Sequence, residues 1–312
     1  MNTSNTFNTP NFVGELFTAD ATRTPLLSLI GDLSGGFYTD NEEFPTAVLF
    51  DYPEAKQPEI SETEAAAGVI KTYTPKIQET NVVQIFQEAV SVTYQRLSNT
   101  GRLAGVTTLS PEKIENEIDF QIAQKLKVIA RDVEYTFING KYNKRKDADT
   151  PNGTRGLIEL CTGNNHIEAN GEALSKEMLQ ELYKMMADNG AYFDNMVIFV
   201  NSDQKVALSE IYSAAATIFR PVPMEKAGVN VLEIDNDFFK CGVVYNKFVP
   251  RDTLLICDIA HIAPVFQTVP GKGNLFVEEL AKVGAANEHQ LYGQIGLAHG
   301  AGFLHGVISG LK

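Results

Sequence analysis

The chain has 312 residues, of which 44% are hydrophobic and 21% are charged, and its formal net charge is -13. This composition falls in the globular range and not in the disordered one. The acidic balance argues against DNA binding through a general basic surface, because phosphates attract positive charge.

The cysteines and the N-terminus indicate the compartment. Cys161, Cys241 and Cys257 form neither a paired set nor a close-spaced metal quartet, so we expect inert thiols in a reducing compartment. The N-terminus lacks the basic start and apolar run of a secretory signal, and no apolar stretch approaches the roughly 20 residues that span a bilayer. We therefore expect a cytoplasmic protein with no membrane partner.

The first segment, from Met1 to about Pro45, is polar and rich in Asn and Thr, with one apolar patch between Leu26 and Ile30. Such a segment buries too little of itself to compensate for the entropy lost on ordering. We expect an N-terminal arm that stays mobile or lies on a neighbouring surface, which implies a partner.

Two strand-like runs follow, Ala47 to Asp51 and Val82 to Tyr94, separated by roughly thirty residues rich in Pro, Glu and Lys. This interval is far longer than an ordinary hairpin loop, so it predicts a long two-stranded arm projecting from the body. The alternative is a disordered surface loop. The apolar residues of the second run change face, which predicts a bulge or bend near Gln87-Glu88.

A long helix is predicted next. Ser110-Pro111-Glu112 combines an N-cap residue, a proline suited to the first helical position and an acid near the positive helix end. Apolar residues then recur every three or four positions until Asn139-Gly140, which predicts a helix over residues 111–139, about 40 Å long. Because no second such helix follows, a spine packed on a sheet is favoured over a coiled coil.

The remainder mixes helices and strands. Beyond a basic connector, Lys141 to Gly156, periodicity and capping predict helices over Ser175 to Asp188 and from Asn201-Ser202 to about Ala215. Strand-like runs are predicted at Met196–Val200, Gly228–Ile234, Gly242–Val249, Thr253–Cys257, Ala263–Val269, Leu275–Val283 and Glu288–His299. The sequence therefore predicts an α+β protein.

No residue pattern indicates catalysis or a bound metal. Gly300-x-Gly302 lacks the strand and helix that bracket a phosphate loop, and Asn201-Ser202 is interpreted as a helix cap in preference to an anion site. No serine or cysteine has a nucleophile elbow or a local partner base. We predict no catalytic residue, no cofactor and no metal. The histidines, none in a metal-ligand spacing, are His166, His261, His289, His299 and His305.

Positive charge concentrates in the connector, and two interpretations of it stay open. It is either a solvated connector or a patch facing the acidic arm of another subunit. We predict intersubunit contacts for these basic residues and for seven residues in the interval between the two strands. The basic residues are Lys141, Lys144, Arg145, Lys146 and Arg155. The seven are Pro53, Glu54, Lys56, Glu59, Glu62, Glu64 and Lys71.

The order of these parts resembles that of the Hong Kong ninety-seven type major capsid proteins of tailed bacteriophages, a fold that encapsulin nanocompartments also use. The resemblance covers essentially the whole chain, and packing and interface segments carry it locally. These are Val92-Thr93-Tyr94-Gln95-Arg96, Glu115 to Gly140, Thr154-Arg155-Gly156-Leu157, Val283-Gly284-Ala285 and Tyr292-Gly293-Gln294-Ile295-Gly296-Leu297.

The resemblance implies an arm-and-domain layout and a structural role. The protein would not be an enzyme but would assemble with itself into hexamers and pentamers of an icosahedral shell around double-stranded DNA, without sequence-specific binding. Assembly would occur in the host bacterial cytoplasm, with a portal and a decoration protein as further partners. Because nothing in this sequence precedes the arm, a separate scaffold protein, or none, is expected. The implied layout is an N-terminal arm over 1–45, an extended loop over 46–96, a peripheral domain over 97–171 and 251–312, and an axial domain over 172–250.

Two alternatives remain open at this point. An encapsulin-like bacterial nanocompartment shell would share the fold and bind a cargo peptide. A soluble cytoplasmic α/β enzyme would need a convergent polar pocket that the sequence does not display.

Overall fold

The computed structural model describes residues 24–33, 35–50, 52, 55–68, 73–98, 117–214, 232–236 and 238–312. The helices in these ranges are α1 (Pro25–Ile30), α2 (Glu62–Ala67), α3 (Tyr94–Ser98), α4 (Glu117–Asn139), α5 (Leu157–Thr162), α6 (Lys176–Asp188) and α7 (Ser202–Ala214). The strands are β1 (Phe37–Thr39), β2 (Glu43–Phe50), β3 (Lys76–Val82), β4 (Gln84–Thr93), β5 (Asn165–Glu168), β6 (Met196–Val200), β7 (Leu232–Asp235), β8 (Lys240–Tyr245), β9 (Leu254–Asp258), β10 (Ala263–Gln267), β11 (Leu275–Glu279), β12 (Ala286–Ala298) and β13 (Gly306–Ser309).

The first sheet is organised around β12, which pairs antiparallel with β4 on one side and with β10 and β11 on the other. Strand β1 joins β10 in parallel. Helix α4 lies on this sheet, and Ile129, Val133 and Phe137, spaced every four residues, are buried in the same core as Leu291 and Ile295 of β12. The predicted spine on a sheet is confirmed over Glu117–Asn139, and residues 111–116 lie outside the described ranges.

The second sheet has the order β5-β13-β9-β6-β8-β7 and is covered on both faces. Val197 and Phe199 of β6 belong to the core that contains α4, whereas Ile198 packs in a second core with Leu179 and Leu182 of α6. Burial on both faces explains why β6 is a continuous apolar run without alternation. Strands β5, β9 and β13 come from outside residues 172–250, so this sheet also draws on segments predicted to be peripheral.

The arm differs from the prediction in its second strand. Strand β3 pairs antiparallel with β2, whereas β4 leaves this pair and joins β12 in unbroken register. The predicted strand over Val82–Tyr94 is confirmed over Gln84–Thr93, but the predicted bend at Gln87-Glu88 and the pairing of this strand within the arm were wrong. Val83 is buried and Ile85 is 57% exposed, so the apolar residues change face where the chain passes from one sheet to the next. The register shift lies between Pro45 and Ala47.

The N-terminal segment also differs from the prediction. A mobile arm, or one lying on a neighbouring surface, was expected, but α1 packs into this chain's own core. Leu26 and Leu27 are fully buried with residues of α4. The apolar patch between Leu26 and Ile30 supplies that contact, while residues 1–23 lie outside the described ranges.

The other predicted elements lie close to their expected places. Helices α6 and α7 and strand β6 are confirmed, and the strand predicted over Gly242–Val249 begins two residues earlier and ends four residues earlier, as β8 (Lys240–Tyr245). Strand β8 ends there because Asn246 begins a turn, in which its Oδ1 accepts the N–H of Phe248 at 2.9 Å. Within the described ranges, no helix combines the length and apolarity needed to cross a membrane.

Candidate assembly interface

Strands β2 and β3 form a two-stranded ribbon, residues 43–82, with α2 in its connecting segment. Helix α2 is exposed throughout and is held by a capping box of local contacts. The Ser61 Oγ accepts the N–H of Glu64 at 3.3 Å, and the Glu64 carboxylate accepts the N–H of Ser61 at 2.9 Å. These bonds to Ser61 hold the pKa of Glu64 below its usual value. The sequence around Ser61 therefore fixes this helix without help from the body of the protein.

The ribbon exposes apolar side chains on both faces. Val48 and Phe50 are 43% and 51% exposed on one face, while Ile77, opposite Leu49 on the other face, is 57% exposed. An isolated two-stranded hairpin is only marginally stable in water, and grouped apolar exposure marks an interaction surface. These exposed side chains make the outer part of the ribbon a candidate interaction surface.

Asn81 fixes the base of the ribbon to the body. Its side chain is fully buried and uses every donor and acceptor position. Its Nδ2 donates to the carbonyls of Leu297 at 2.8 Å and Arg155 at 3.3 Å, and its Oδ1 accepts the N–H groups of Val82 and Arg155 at 2.9 Å. Thr154 adds a hydroxyl bond to the Val82 carbonyl. Breaking these bonds would leave buried backbone groups without hydrogen-bond partners, which is energetically costly. The ribbon therefore leaves the body in a defined direction.

A glycine permits the close approach of ribbon and sheet. A Cβ at Gly296 of β12 would lie 2.7 Å from the ring of Phe44 and 3.0 Å from the carbonyl oxygen of Val82. Only a residue without a side chain fits between these groups, so Gly296 allows the base of the ribbon to rest on β12.

The connector holds the same base through ion pairs. Lys144 Nζ lies 2.5 Å from Glu43 Oε2, and Arg145 pairs with Glu42. The hydrogen bond from Lys144, with a second from Thr80, holds the pKa of Glu43 below its usual value. These groups line a cleft of about 340 Å³ between connector and ribbon. The positive charges of Lys144 and Arg145 therefore face acidic residues of their own chain.

The predicted contact residues fall into separate groups. Lys56, Glu59, Glu62 and Glu64 are exposed between the ribbon strands, and Lys141 and Lys146 are exposed on the connector. Three further predicted residues, Pro53, Glu54 and Lys71, lie outside the described ranges.

Arg155 lies apart from the ion pairs, with its guanidinium 4.6 Å from the centre of the Tyr142 ring. Sequence reasoning missed Asn81 and Phe44, because their roles depend on partners more than seventy positions away along the chain. Two segments that carried the resemblance contain their partners: Thr154-Arg155-Gly156-Leu157 supplies Arg155 to Asn81, and Tyr292-Gly293-Gln294-Ile295-Gly296-Leu297 supplies Leu297 to Asn81 and Gly296 to Phe44.

Two polar clusters have the residue types of a reactive or metal site. Asp194, Asp258 and His261 lie together, but the Asp258 carboxylate accepts backbone N–H groups of Asp194, Asn195 and Ala260 at 2.9–3.1 Å. These bonds close the turn after β9 and fully account for the buried carboxylate.

The second cluster is His166, Ser309 and Glu168 on the paired strands β5 and β13. The Ser309 hydroxyl lies 2.7 Å from His166 Nε2 and donates to Glu168 at 2.7 Å. In a catalytic triad the carboxylate orients the imidazole, whereas here histidine and carboxylate both contact the hydroxyl. The arrangement is that of a cross-strand hydrogen-bond network.

Solved structures share this fold at low sequence identity. The Cyanophage A-1(L) capsid subunit has a TM-score of 0.63 at 10% identity, covering 100% of this chain and 97% of its own. The SrpI encapsulin of Synechococcus elongatus PCC 7942 has a TM-score of 0.61 at 11% identity, covering 96% and 92%. The structure from Mycobacterium phage Bobi has a TM-score of 0.59 at 11% identity, and the match covers 97% of this chain and 95% of its own. These likenesses establish the Hong Kong ninety-seven type fold, and the encapsulin is a relative in structure alone.

The sequence itself gives the narrower assignment. No curated protein matches the chain significantly. The family described as SU10 major capsid protein matches residues 1–312, which is the whole chain. The protein therefore belongs to the SU10 major capsid protein family and is the major capsid protein of a tailed bacteriophage.

Proposed function

We propose that this subunit forms hexamers and pentamers of an icosahedral shell that encloses double-stranded DNA, and that its ribbon lies on the adjacent subunit. The apolar side chains exposed on both faces of the ribbon support this, because the described part of the chain leaves Val48, Phe50 and Ile77 uncovered. Repetition of one heterologous contact between identical subunits produces rings and closed shells. The role is structural and not enzymatic.

The proposal extends to the layout and the partners. The N-terminal arm is residues 1–45, the extended loop 46–96, the peripheral domain 97–171 with 251–312, and the axial domain 172–250. Assembly takes place in the cytoplasm of the host bacterium, with a portal and a decoration protein as further partners and with either a separate scaffold protein or none. The net charge of -13 fits a shell that holds DNA without adhering to it.

The predicted contact residues belong to this proposal. Lys56, Glu59, Glu62 and Glu64 are exposed in the segment that connects the ribbon strands. Pro53, Glu54 and Lys71, which lie outside the described ranges, belong to the same interval of the sequence and are included in the proposal. Lys141 and Lys146 form no ion pair with the described residues of their own chain. They are therefore the basic residues of the connector best suited to contact an acidic ribbon from another subunit, while Lys144 and Arg145 align the base of their own ribbon.

Expression of the chain alone, followed by size-exclusion chromatography and negative-stain electron microscopy, tests the shell proposal. Closed shells, capsomer rings or sheets support self-assembly. If the chain stays monomeric under every salt and crowding condition, the phage's scaffold protein is added. A monomer that persists with the scaffold contradicts the proposal.

Charge reversal tests the alignment of the ribbon. We expect Glu43→Lys to lower the yield of closed shells several-fold, because two positive charges then face each other across the cleft. The double variant Glu43→Lys with Lys144→Glu should restore the yield by re-forming the pair in the opposite sense. Particle counts by electron microscopy measure both variants, and equal defects in the single and double variants would contradict this role of the pair.

A further inference from the structure

One buried carboxylate joins three separate parts of the chain. Glu134 lies on α4, and its side chain is fully buried. Its Oε1 accepts the N–H of Leu26 at 2.8 Å and the side-chain amide of Asn246 at 2.6 Å, while its Oε2 accepts the N–H of Leu27 at 2.8 Å. Helix α1, helix α4 and the loop after β8 therefore meet at a single side chain.

Helix α1 depends on this contact. The first N–H groups of a helix have no acceptor within the helix, and the side chain of Thr24 at the N-cap position does not cap them. Glu134 takes the place of that missing cap from a different helix. Undocking of α1 would also expose the side chains of Leu26 and Leu27, which are fully buried. Exposure of this apolar surface to water is unfavourable and opposes undocking.

The loop after β8 depends on the same carboxylate. Asn246 is fully buried, its N–H donates to the carbonyl of Val200 at 2.9 Å, and its Oδ1 accepts the N–H of Phe248. The side-chain nitrogen of Asn246, Nδ2, donates its hydrogen bond to Glu134. Loss of the carboxylate from its place would leave this buried amide without an acceptor, which costs more than the hydrogen bond itself contributed.

We infer that Glu134 is a latch that couples the docking of α1 to the conformation of the loop Asn246–Val249, so that loosening one loosens the other. The latch connects the N-terminal segment, which enters the body through α1, to strands β8 and β9 of the second sheet. It goes beyond the proposed ribbon contact, because all three of its parts lie within one subunit.

The latch also has a pH dependence of known sign. Burial raises the pKa of Glu134 from 4.5 to about 7, opposed by the bonds from Leu27, Leu26 and Asn246 and increased by the nearby charge of Asp32. An undocked Glu134 in water would regain the ordinary value. Docking is therefore strongest below pH 4.5, weakens by up to about tenfold per pH unit as the pH rises from 4.5 to 7, and changes little above 7.

Hydrogen–deuterium exchange on the full-length protein tests the coupling. In Glu134→Ala, protection of the amides in both α1 and the loop Asn246–Val249 should fall by roughly tenfold or more, while β11 stays unchanged. Glu159→Gln is the matched control, because Glu159 accepts a single backbone bond, from Tyr142, and touches neither segment. It should leave both segments protected.

Two further measurements keep the inference testable if Glu134→Ala does not fold. Asn246→Ala should lower the protection of the α1 amides through its effect on Glu134, although Asn246 and Glu134 are 112 positions apart along the chain. In the wild-type protein, exchange corrected for its intrinsic pH dependence should increase in both segments together between pH 5 and pH 7 and level off above pH 7. Loosening of one segment without the other, or of neither, would overturn the latch.

Discussion

The double substitution Phe50→Ser with Ile77→Ser is expected to abolish shell assembly while the subunit stays folded. These side chains are 51% and 57% exposed on opposite faces of the ribbon. Complete burial of a fully exposed apolar side chain contributes about 1.5–3 kcal/mol, and about half of each of these side chains is still exposed, so the pair represents about 1.5–3 kcal/mol at each contact between subunits. A loss of this size lowers the association constant of each contact by roughly ten- to a hundredfold, and the loss is repeated at every contact of the shell.

Sedimentation and electron microscopy measure this loss, and circular dichroism shows whether the subunit is folded. Gln78→Ser is the matched control, since Gln78 is exposed on the same ribbon but is polar, and it should form shells at the wild-type yield. Deletion of Pro53 to Lys76 should reproduce the defect of the double variant. Normal shells from Phe50→Ser with Ile77→Ser would mean that the ribbon's apolar faces are not an assembly contact.

Patterns that repeat along a single element were sufficient to predict that element. The apolar stripe of α4 recurs every three or four residues, and the resulting spine lies where the stripe predicts. Met196–Val200 could be recognised as a strand because a short, continuous apolar run is typical of a strand buried on both faces. The predicted α+β class and capsid fold rested on the order of such elements.

Features that depend on distant partners could not be predicted. Leu26 and Glu134 are 108 positions apart, and nothing near either residue indicates the other. The passage from ribbon to sheet at Val83 was missed because two consecutive strands without a turn signal look like one strand with a bend. The ion pairs of the connector could not be predicted for the same reason, since Glu43 and Lys144 are brought together only by the fold.

Acidification from pH 6.5 to 4 is expected to destabilise the subunit through two buried histidines, His299 and His305, both fully buried. The Nε2 of His305 donates to the His299 carbonyl at 2.6 Å, and its Nδ1 accepts the N–H of Asp258 at 3.2 Å. The Nδ1 of His299 donates to the Gly300 carbonyl at 2.8 Å, and its Nε2 has no partner in the described residues. Protonation would therefore break one bond and bury an unpaired charge.

The sign and size of the effect follow from the pKa values. Burial lowers the pKa of both histidines from 6.5 to about 4. A histidine held neutral in the folded state contributes its full stability above pH 6.5, and this contribution is lost as the pH falls from 6.5 toward 4. A difference of this size corresponds to about 3 kcal/mol for one histidine, and less than twice that for the pair because each charge disfavours the other.

Urea denaturation of the dissociated subunit at a series of pH values measures this loss. His299→Asn cannot titrate, yet its side-chain amide can replace the Nδ1 donor, so it should remove a large part of the decrease between pH 6.5 and 4. The same substitution at His289, which is only partly buried, is the control for replacing a histidine elsewhere in the protein. Parallel wild-type and His299→Asn curves would contradict the prediction.

Glu134 changes the stability of the subunit with pH in the opposite direction to the two histidines. The effect of the histidines must therefore be measured as the difference between the wild type and His299→Asn. Its raised pKa, about 7, means that the folded state gains stability as the pH falls from 7 to 4.5. Between pH 6.5 and 4.5 this gain opposes the loss from the histidines, so the wild-type curve alone will understate both. The difference between the wild type and His299→Asn cancels the contribution of Glu134. A Glu134→Gln background should correspondingly reveal a steeper acid loss, and an unchanged slope there would show that Glu134 does not titrate in this range.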